Sequence, residues 1–230
     1  MPMNKVVRSA DEAVADVFAG AVIHFGGFAA RGVPYDLIAA LRRKGTKNIT
    51  AVCNDIWGGW RNFPDVSVLV ANKQVKKLVA TFPVPASPTE KTPFEEQWRA
   101  GQIELEMVPQ GTLAERLRAA GAGIPAFYTP TGFGTQFAKG KETRVFDGRE
   151  HVLEQALKAD FALVHAHKGD RYGNLVYNEA ARNFNPPMAM AAKVTIAEVD
   201  IIVEPGELDP EAVVTPGIFV QRVVHAPKKK

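Results

Sequence analysis

The chain of 230 residues has a single cysteine, Cys53. One thiol excludes an internal disulfide and any metal site built from several cysteines. No apolar run approaches the roughly 20 residues that a membrane-spanning helix needs. The opening "MPMNKVVRSADEAV" also lacks an apolar core of signal-peptide length. The expectation is a cytoplasmic protein with no membrane contact. A surplus of charge is missing as well. The net +3 comes from Lys228, Lys229 and Lys230, without which the chain carries 25 basic against 25 acidic residues. A neutral body excludes the clustered basic stripe of a nucleic-acid-binding surface. No low-complexity linker and no internal repeat interrupts the chain. Residues 1–230 are therefore read as one domain, with 226–230 as a frayed basic tail.

What is present is a rhythm. "AVIHF", "NITAVC", "KKLVATF" and "IELEMV" read as strands, and capped helical segments lie between them. "SADEAVADVFA" opens with Ser9 and Glu12 in capping-box spacing and continues with a stripe of Val14, Val17 and Phe18. "YDLIAALRRKG" follows Pro34, which suits a first helical position, and stops at Gly45. "TPFEEQWRAG" has Thr92, Pro93 and Glu95 at its start. "TLAERLRAAG" repeats the capping-box spacing at Thr112 and Glu115. "DVSVLVANKQ" stays open between helix and strand because of its β-branched residues. This β–α alternation predicts an α/β fold, a mainly parallel sheet with helices on both faces.

After residue 122 the texture becomes irregular. "GAGIPAFYTPTGFGT" reads as a Gly-rich loop, and "RVFDGREHVLE" as a hairpin turning at Asp147-Gly148. "FALVHAHKGDRYGNLVY" reads as two strands joined near Gly169–Gly173. "PMAMAAK" reads as a short helix before a last strand, "VTIAEVDIIV".

The segment "VIHFGGFAARGVP" sets a strand, a glycine turn and a helix in succession. That layout can place backbone amides and a helix amino-terminus beside an anion. Its spacing, G-G-x-x-x-x-G, is neither the dinucleotide nor the P-loop pattern, which argues against a dinucleotide oxidoreductase. A tight turn in which glycine merely relieves φ strain explains it equally well. His165 and His167 share one strand face with Asp170 nearby, yet no third ligand is evident and no metal is expected. Cys53 reads as a small buried residue, and Trp57, Trp60 and Trp98 as core.

Several motifs in order carry a family resemblance. "GGFAARGVP", "VPQGTLAERLRAAGAGIPAFYTPTGFGT", "DFALVHAHKGDRYGNLVY", "ARNFNPPMAMAAK" and "ELDPEAVVTPGIFVQRVV" together resemble the first (A, or alpha) subunit of the two-subunit, glutamate-dependent CoA-transferases. The resemblance covers residues 4 to 225. It implies the CoA-transferase fold, shared broadly with sugar-phosphate isomerases. It also implies transfer of CoA from an acyl-CoA to a carboxylate through a glutamyl-CoA thioester. Coenzyme A is then a substrate, and no permanently bound cofactor is implied.

The nucleophilic glutamate is implied to belong to a partner, the B subunit of the CoA-transferase, so no catalytic residue is assigned to this chain. Glu95, Glu96, Glu104, Glu106 and Glu115 all occupy positions with structural explanations. By the resemblance, Gly26, Gly27, Phe28, Ala29, Ala30, Arg31 and Gly32 match the CoA-binding segment, and Asn54, Asp55 and Gln110 match positions near the acyl group. A neutral amide there orients a carbonyl without competing as a nucleophile. The later motifs look most like the 3-oxoadipate branch with succinyl-CoA as donor, whereas "CND" leans toward acetate or butyrate:acetoacetate transfer. Arg31 or Arg61 would meet a distal carboxylate. A non-catalytic sugar-phosphate-binding module is the alternative of a different class. His24 and Ala29 depart from the family pattern, where an aliphatic residue and a glycine are usual.

Overall fold

The computed structural model describes residues 3–56, 64–84 and 92–226. Trp57, Trp60, Arg61 and the terminal lysines lie outside them. Short strands β1 (Val6–Val7), β2 (Val22–Phe25), β3 (Ile49–Asp55), β4 (Val75–Phe82) and β5 (Glu104–Met107) alternate with helices. The helices are α1 (Ala10–Ala13), α2 (Tyr35–Lys44), α3 (Ser67–Ala71), α4 (Pro93–Arg99) and α5 (Gln110–Gly121). The second half adds β6 (Ala126–Thr129), β7 (Thr143–Phe146), β8 (Arg149–Gln155), β9 (Ala159–Asp170) and β10 (Leu175–Val176). Helix α6 (Asn185–Met190), β11 (Ala192–Val203) and β12 (Arg222–His225) complete it.

The main sheet runs β1-β12-β11-β9-β2-β3-β4-β5, all parallel, with β10 antiparallel on β9. Helices α1 to α4 bury Ala13, Leu37, Leu41, Leu69 and Phe94 on one face. Helices α5 and α6 bury Leu113, Leu117 and Met188 on the other. The expected parallel sheet covered on both faces is what the chain forms. From β2 the strands step outward through β3, β4 and β5, and from β9 they step the other way through β11 and β12. The order therefore switches between β2 and β9, and such a switch opens a crevice at the carboxyl ends of the strands. The glycine turn leaves β2 at that crevice.

Several local expectations change. "VTIAEVDIIV" lies within β11 but is not the last strand, because β12 inserts between β11 and β1. The Gly-rich loop contains β6, which pairs with β8 in a separate antiparallel sheet β6-β8-β7. "DVSVLVANKQ" holds α3, with Val66 and Val70 buried and Val68 half-buried beneath the sheet's first face. Helix α6 begins two residues before "PMAMAAK", at Asn185, and Ala192 and Lys193 already belong to β11. Ser9 caps α1 by accepting from Glu12 N, but Glu12 reaches Arg8 N rather than the Ser9 amide. Thr92 and Glu95 do form the full capping box of α4. Trp98, expected in the core, is 49% exposed on α4. Asp147 and Gly148 make the hairpin turn between β7 and β8, both at positive φ.

His24 stands inside β2 with no exposed surface, and neither ring nitrogen makes a well-formed hydrogen bond. Burial lowers its pKa from 6.5 to about 4, offset in part by the Met188 backbone. The imidazole is thus neutral in the fold and charges more easily in the unfolded chain. Its contribution is fully present above pH 6.5 and is lost as pH falls toward 4, about 3 kcal/mol in all. Urea unfolding of His24→Leu beside the unaltered chain should show the variant gaining relative stability across that window. A constant difference from pH 7 to 4 would disprove the assignment.

Candidate functional site

The turn after β2 is built by successive close approaches. Gly26 N donates to Leu163 O at 2.9 Å, which prolongs the β2–β9 pairing by one residue. Gly27, at φ +115°, then turns the chain. Phe28 and Arg31 exchange both backbone hydrogen bonds, at 3.0 and 2.9 Å, and close a two-residue hairpin over Ala29 and Ala30. Those alanines have φ of +48° and +64°. Consecutive left-handed residues are the mark of a type I′ turn, ordinarily made by Asn-Gly. Each alanine costs about 1–2 kcal/mol there, so the surroundings must hold the shape. Asp55 Oδ2 accepts from Ala29 N at 2.9 Å, Tyr35 Oη donates to Ala30 O at 3.1 Å, and Asn183 Nδ2 donates to Arg31 O at 3.0 Å.

The glycines answer to the chain's own atoms. A Cβ on Gly26 would lie 1.8 Å from Asn185 Oδ1, and one on Gly32 would lie 2.3 Å from Ala181 O. On Gly27 it would meet Val33 Cγ2 at 2.5 Å. The helix amino-terminus is also already served. Pro34 is the N-cap of α2 rather than its first residue and offers no side-chain cap. Glu198, reaching across from β11, accepts from Leu37 N at 2.9 Å. Burial pushes the Glu198 carboxyl up to about 8, against the opposing pull of the α2 amides. The helix start that could have faced an external anion is thus occupied by an internal carboxyl group.

Two residues 56 positions apart meet near the end of β3. Gln110 Nε2 donates to Asn54 Oδ1 at 2.8 Å, with Asn54 1% exposed near the end of β3. Gln110 reaches it because α5 starts at Gln110, directly after Pro109. This corrects the capping box expected at Thr112 and Glu115. Thr112 lies buried inside the first turn with its hydroxyl unpartnered, and Glu115 pairs with Arg118. Asp55 ties the end of β3 to the hairpin. A small pocket between them is lined by Phe25, Gly27, Val33, Cys53, Asp55 and Asp65. Burial raises the Cys53 thiol well above its usual range, in keeping with a packing role.

His165 and His167 do share a face, but both turn to Asp200 of β11, at 3.0 and 3.1 Å. Asp170 instead accepts from Tyr172 N, Asn174 N and Asn174 Nδ2, and holds the turn into β10. Among the described residues no group of three or more His, Cys, Asp or Glu could hold a metal ion. No helix among them is long and apolar enough to cross a membrane. The expected turn segment, Asn54, Asp55 and Gln110 all gather at the carboxyl edge of β2 and β3. Asn185, Glu198 and Asp200 were not foreseen, although "ARNFNPPMAMAAK" contains the first of them.

The family described as Coenzyme A transferase matches residues 7–226. The chain is 52% identical over 222 residues to the A subunit of 3-oxoadipate CoA-transferase from Pseudomonas putida, covering 96% of this chain and 94% of that protein. It is 49% identical over 226 residues to the A subunit of the probable succinyl-CoA:3-ketoacid coenzyme A transferase of Bacillus subtilis, covering 96% and 90%. The crystal structure of glutaconate coenzyme A-transferase from Acidaminococcus fermentans shares its fold, with a TM-score of 0.82, 23% identity, and coverage of 97% and 76%. This chain belongs to the coenzyme A transferase family.

Proposed function

We propose that the chain is the A subunit of a two-subunit CoA-transferase that moves CoA from an acyl-CoA, succinyl-CoA first, to a 3-oxoacid such as 3-oxoadipate or acetoacetate. The observation that carries this reading is the 52% identity, across nearly both full lengths, to the A subunit of a 3-oxoadipate CoA-transferase. The Asn54–Gln110 pair near the end of β3, where the next residue, Asp55, bonds the glycine turn, supports it.

In this reading a partner glutamate attacks the thioester carbonyl and CoA leaves as thiolate. The acyl–glutamyl anhydride is attacked by that thiolate at the glutamyl carbonyl, which releases the free acid and leaves a glutamyl-CoA thioester. The acceptor acid reverses the sequence. Residues 26–32 bind CoA, and the amides of Gly27, Ala30 and Gly32, which are not among those spent on Leu163 O, on the Phe28–Arg31 exchange and on Asp55, serve the charge developing on the carbonyl oxygen. Asn54 and Gln110 orient the acyl group, and Asp55 sets which acid is accepted. Two acids of this chain are engaged elsewhere: Glu106 pairs with Lys77 at 2.6 Å and Arg116 at 2.7 Å, and Glu198 caps α2.

The test uses protein purified from its own host with its co-purifying chains. Succinyl-CoA is added, the thioester is reduced with borohydride, and each polypeptide is mapped by mass spectrometry. The expected result is a reduced glutamate on a second chain. Modification of this chain, or of none, would overturn the proposal.

A further inference from the structure

We propose that Asn185 is a positioning residue for the glycine turn, its carboxamide fixing both ends of the turn so that the backbone between them is presented to the acyl-CoA. The inference rests on the function proposed above for residues 26–32.

Asn185 is the first residue of α6 and has no exposed surface. Both hydrogens of its Nδ2 are used, on Gly32 O and Ala181 O, each at 2.9 Å. Its Oδ1 accepts from His165 N of β9 at 3.0 Å. That same oxygen fills the space a Gly26 side chain would need. One carboxamide therefore touches the start of the turn, its end, and the neighbouring central strand.

Asparagine suits this place for a chemical reason. The site presents two carbonyl acceptors on one side and one amide donor on the other, and a carboxamide matches both. An aspartate of equal size would set an oxygen against two carbonyls. An alanine would leave Gly32 O without this donor and the His165 amide without its acceptor. The clamp matters because the turn is strained. Ala29 and Ala30 are left-handed, and such a conformation persists only when its base is held. Asn185 holds that base from a helix 153 residues beyond Gly32. It need not touch the substrate, so its role is positioning rather than catalysis.

The experiment uses the complex with its partner, carrying Asn185→Ala, Asn185→Asp or a control, Leu41→Ala. Leu41 is equally buried, in the last turn of α2, and packs in the core on the opposite face of the sheet from α6. Each variant is assayed well below its thermal midpoint. The Asn185 variants should lose about tenfold or more in kcat/KM for acyl-CoA, as expected when a reacting group is misplaced. Formation of the borohydride-reducible glutamyl thioester in a single turnover should slow to match. Leu41→Ala should lose thermal stability yet stay within about twofold of the unaltered complex, since a buried Leu→Ala change acts on folding.

Equal kcat/KM for folded Asn185→Ala and Leu41→Ala would overturn the inference. If Asn185→Ala does not assemble, the isosteric Asn185→Asp is read in its place. Failure of both to assemble would assign Asn185 to folding alone and overturn it too. Absence of CoA transfer by the unaltered complex would instead sink the proposed function.

Discussion

Gly32→Ala is expected to destabilise the folded chain by about 2–5 kcal/mol, the sum of two separate costs. Gly32 sits at φ +65°, where an L-residue costs about 1–2 kcal/mol. The added methyl would also lie 2.3 Å from Ala181 O and 2.7 Å from Asn185 Nδ2. A backbone carbonyl cannot swing aside as a side chain can, and Asn185 is held by its own hydrogen bonds. Overpacking of this kind costs about 1–3 kcal/mol further. Gly45→Ala supplies the internal comparison. Gly45 also has positive φ, at +76°, but the nearest atom to its methyl would be 4.0 Å away. It should therefore show the left-handed cost alone. Urea unfolding of both variants decides the matter: equal losses would mean that the approach of Ala181 and Asn185 has no energetic weight.

Gln110→Ala is expected to lower kcat/KM for succinyl-CoA by about 100-fold in the complex with its partner. That is the scale of loss when a group that orients the reacting acyl carbon is removed. The substitution removes the amide at the start of α5 and leaves Asn54 Oδ1, on a residue 1% exposed, without its 2.8 Å partner. An unpaired buried oxygen costs about 1–3 kcal/mol, so a lower thermal midpoint should accompany the loss of rate. The two effects separate by temperature. Assayed where the variant is fully folded, the rate deficit should persist. A folded, assembled variant within about threefold of the unaltered kcat/KM would show that the pair is only a strand-end cap.

Much of the fold could be read locally. The runs "AVIHF", "NITAVC" and "KKLVATF" formed parallel strands because apolar residues in succession bury on both sides of a sheet. Thr92, Pro93 and Glu95 capped α4 because the box closes within four residues. The same spacing at Thr112 and Glu115 misled, since the chain already turns helical after Pro109. A local pattern cannot say which of two possible starts the tertiary contacts will favour. "VVH" near the end gave β12 no more than two or three apolar residues to announce it, and its place between β1 and β11 comes from pairing partners far away in the chain.

The candidate site divides the same way. Gly26, Gly27 and Gly32 announced a close approach, but the sequence could not name what approaches. Asn185 and Ala181 come from more than 140 residues away, and only the packing of α6 against β2 and β9 brings them in. Glu198 lies within "VTIAEVDIIV", and nothing in that run shows that α2 starts above it. Two histidines in alternation pointed to one face, yet their partner proved to be Asp200 rather than Asp170.

The sequence by itself determined the α/β architecture, the neutral body, and through its ordered motifs the family. Periodicity, capping and turn chemistry act over a few residues, so the sequence displays them directly. The tertiary structure alone decided which buried polar groups meet: Asn54 with Gln110, Asn185 with the two ends of the turn, Glu198 with α2. A buried donor or acceptor must find a partner wherever the chain can supply one. That choice depends on how the sheet orders its strands, which no short stretch of sequence contains.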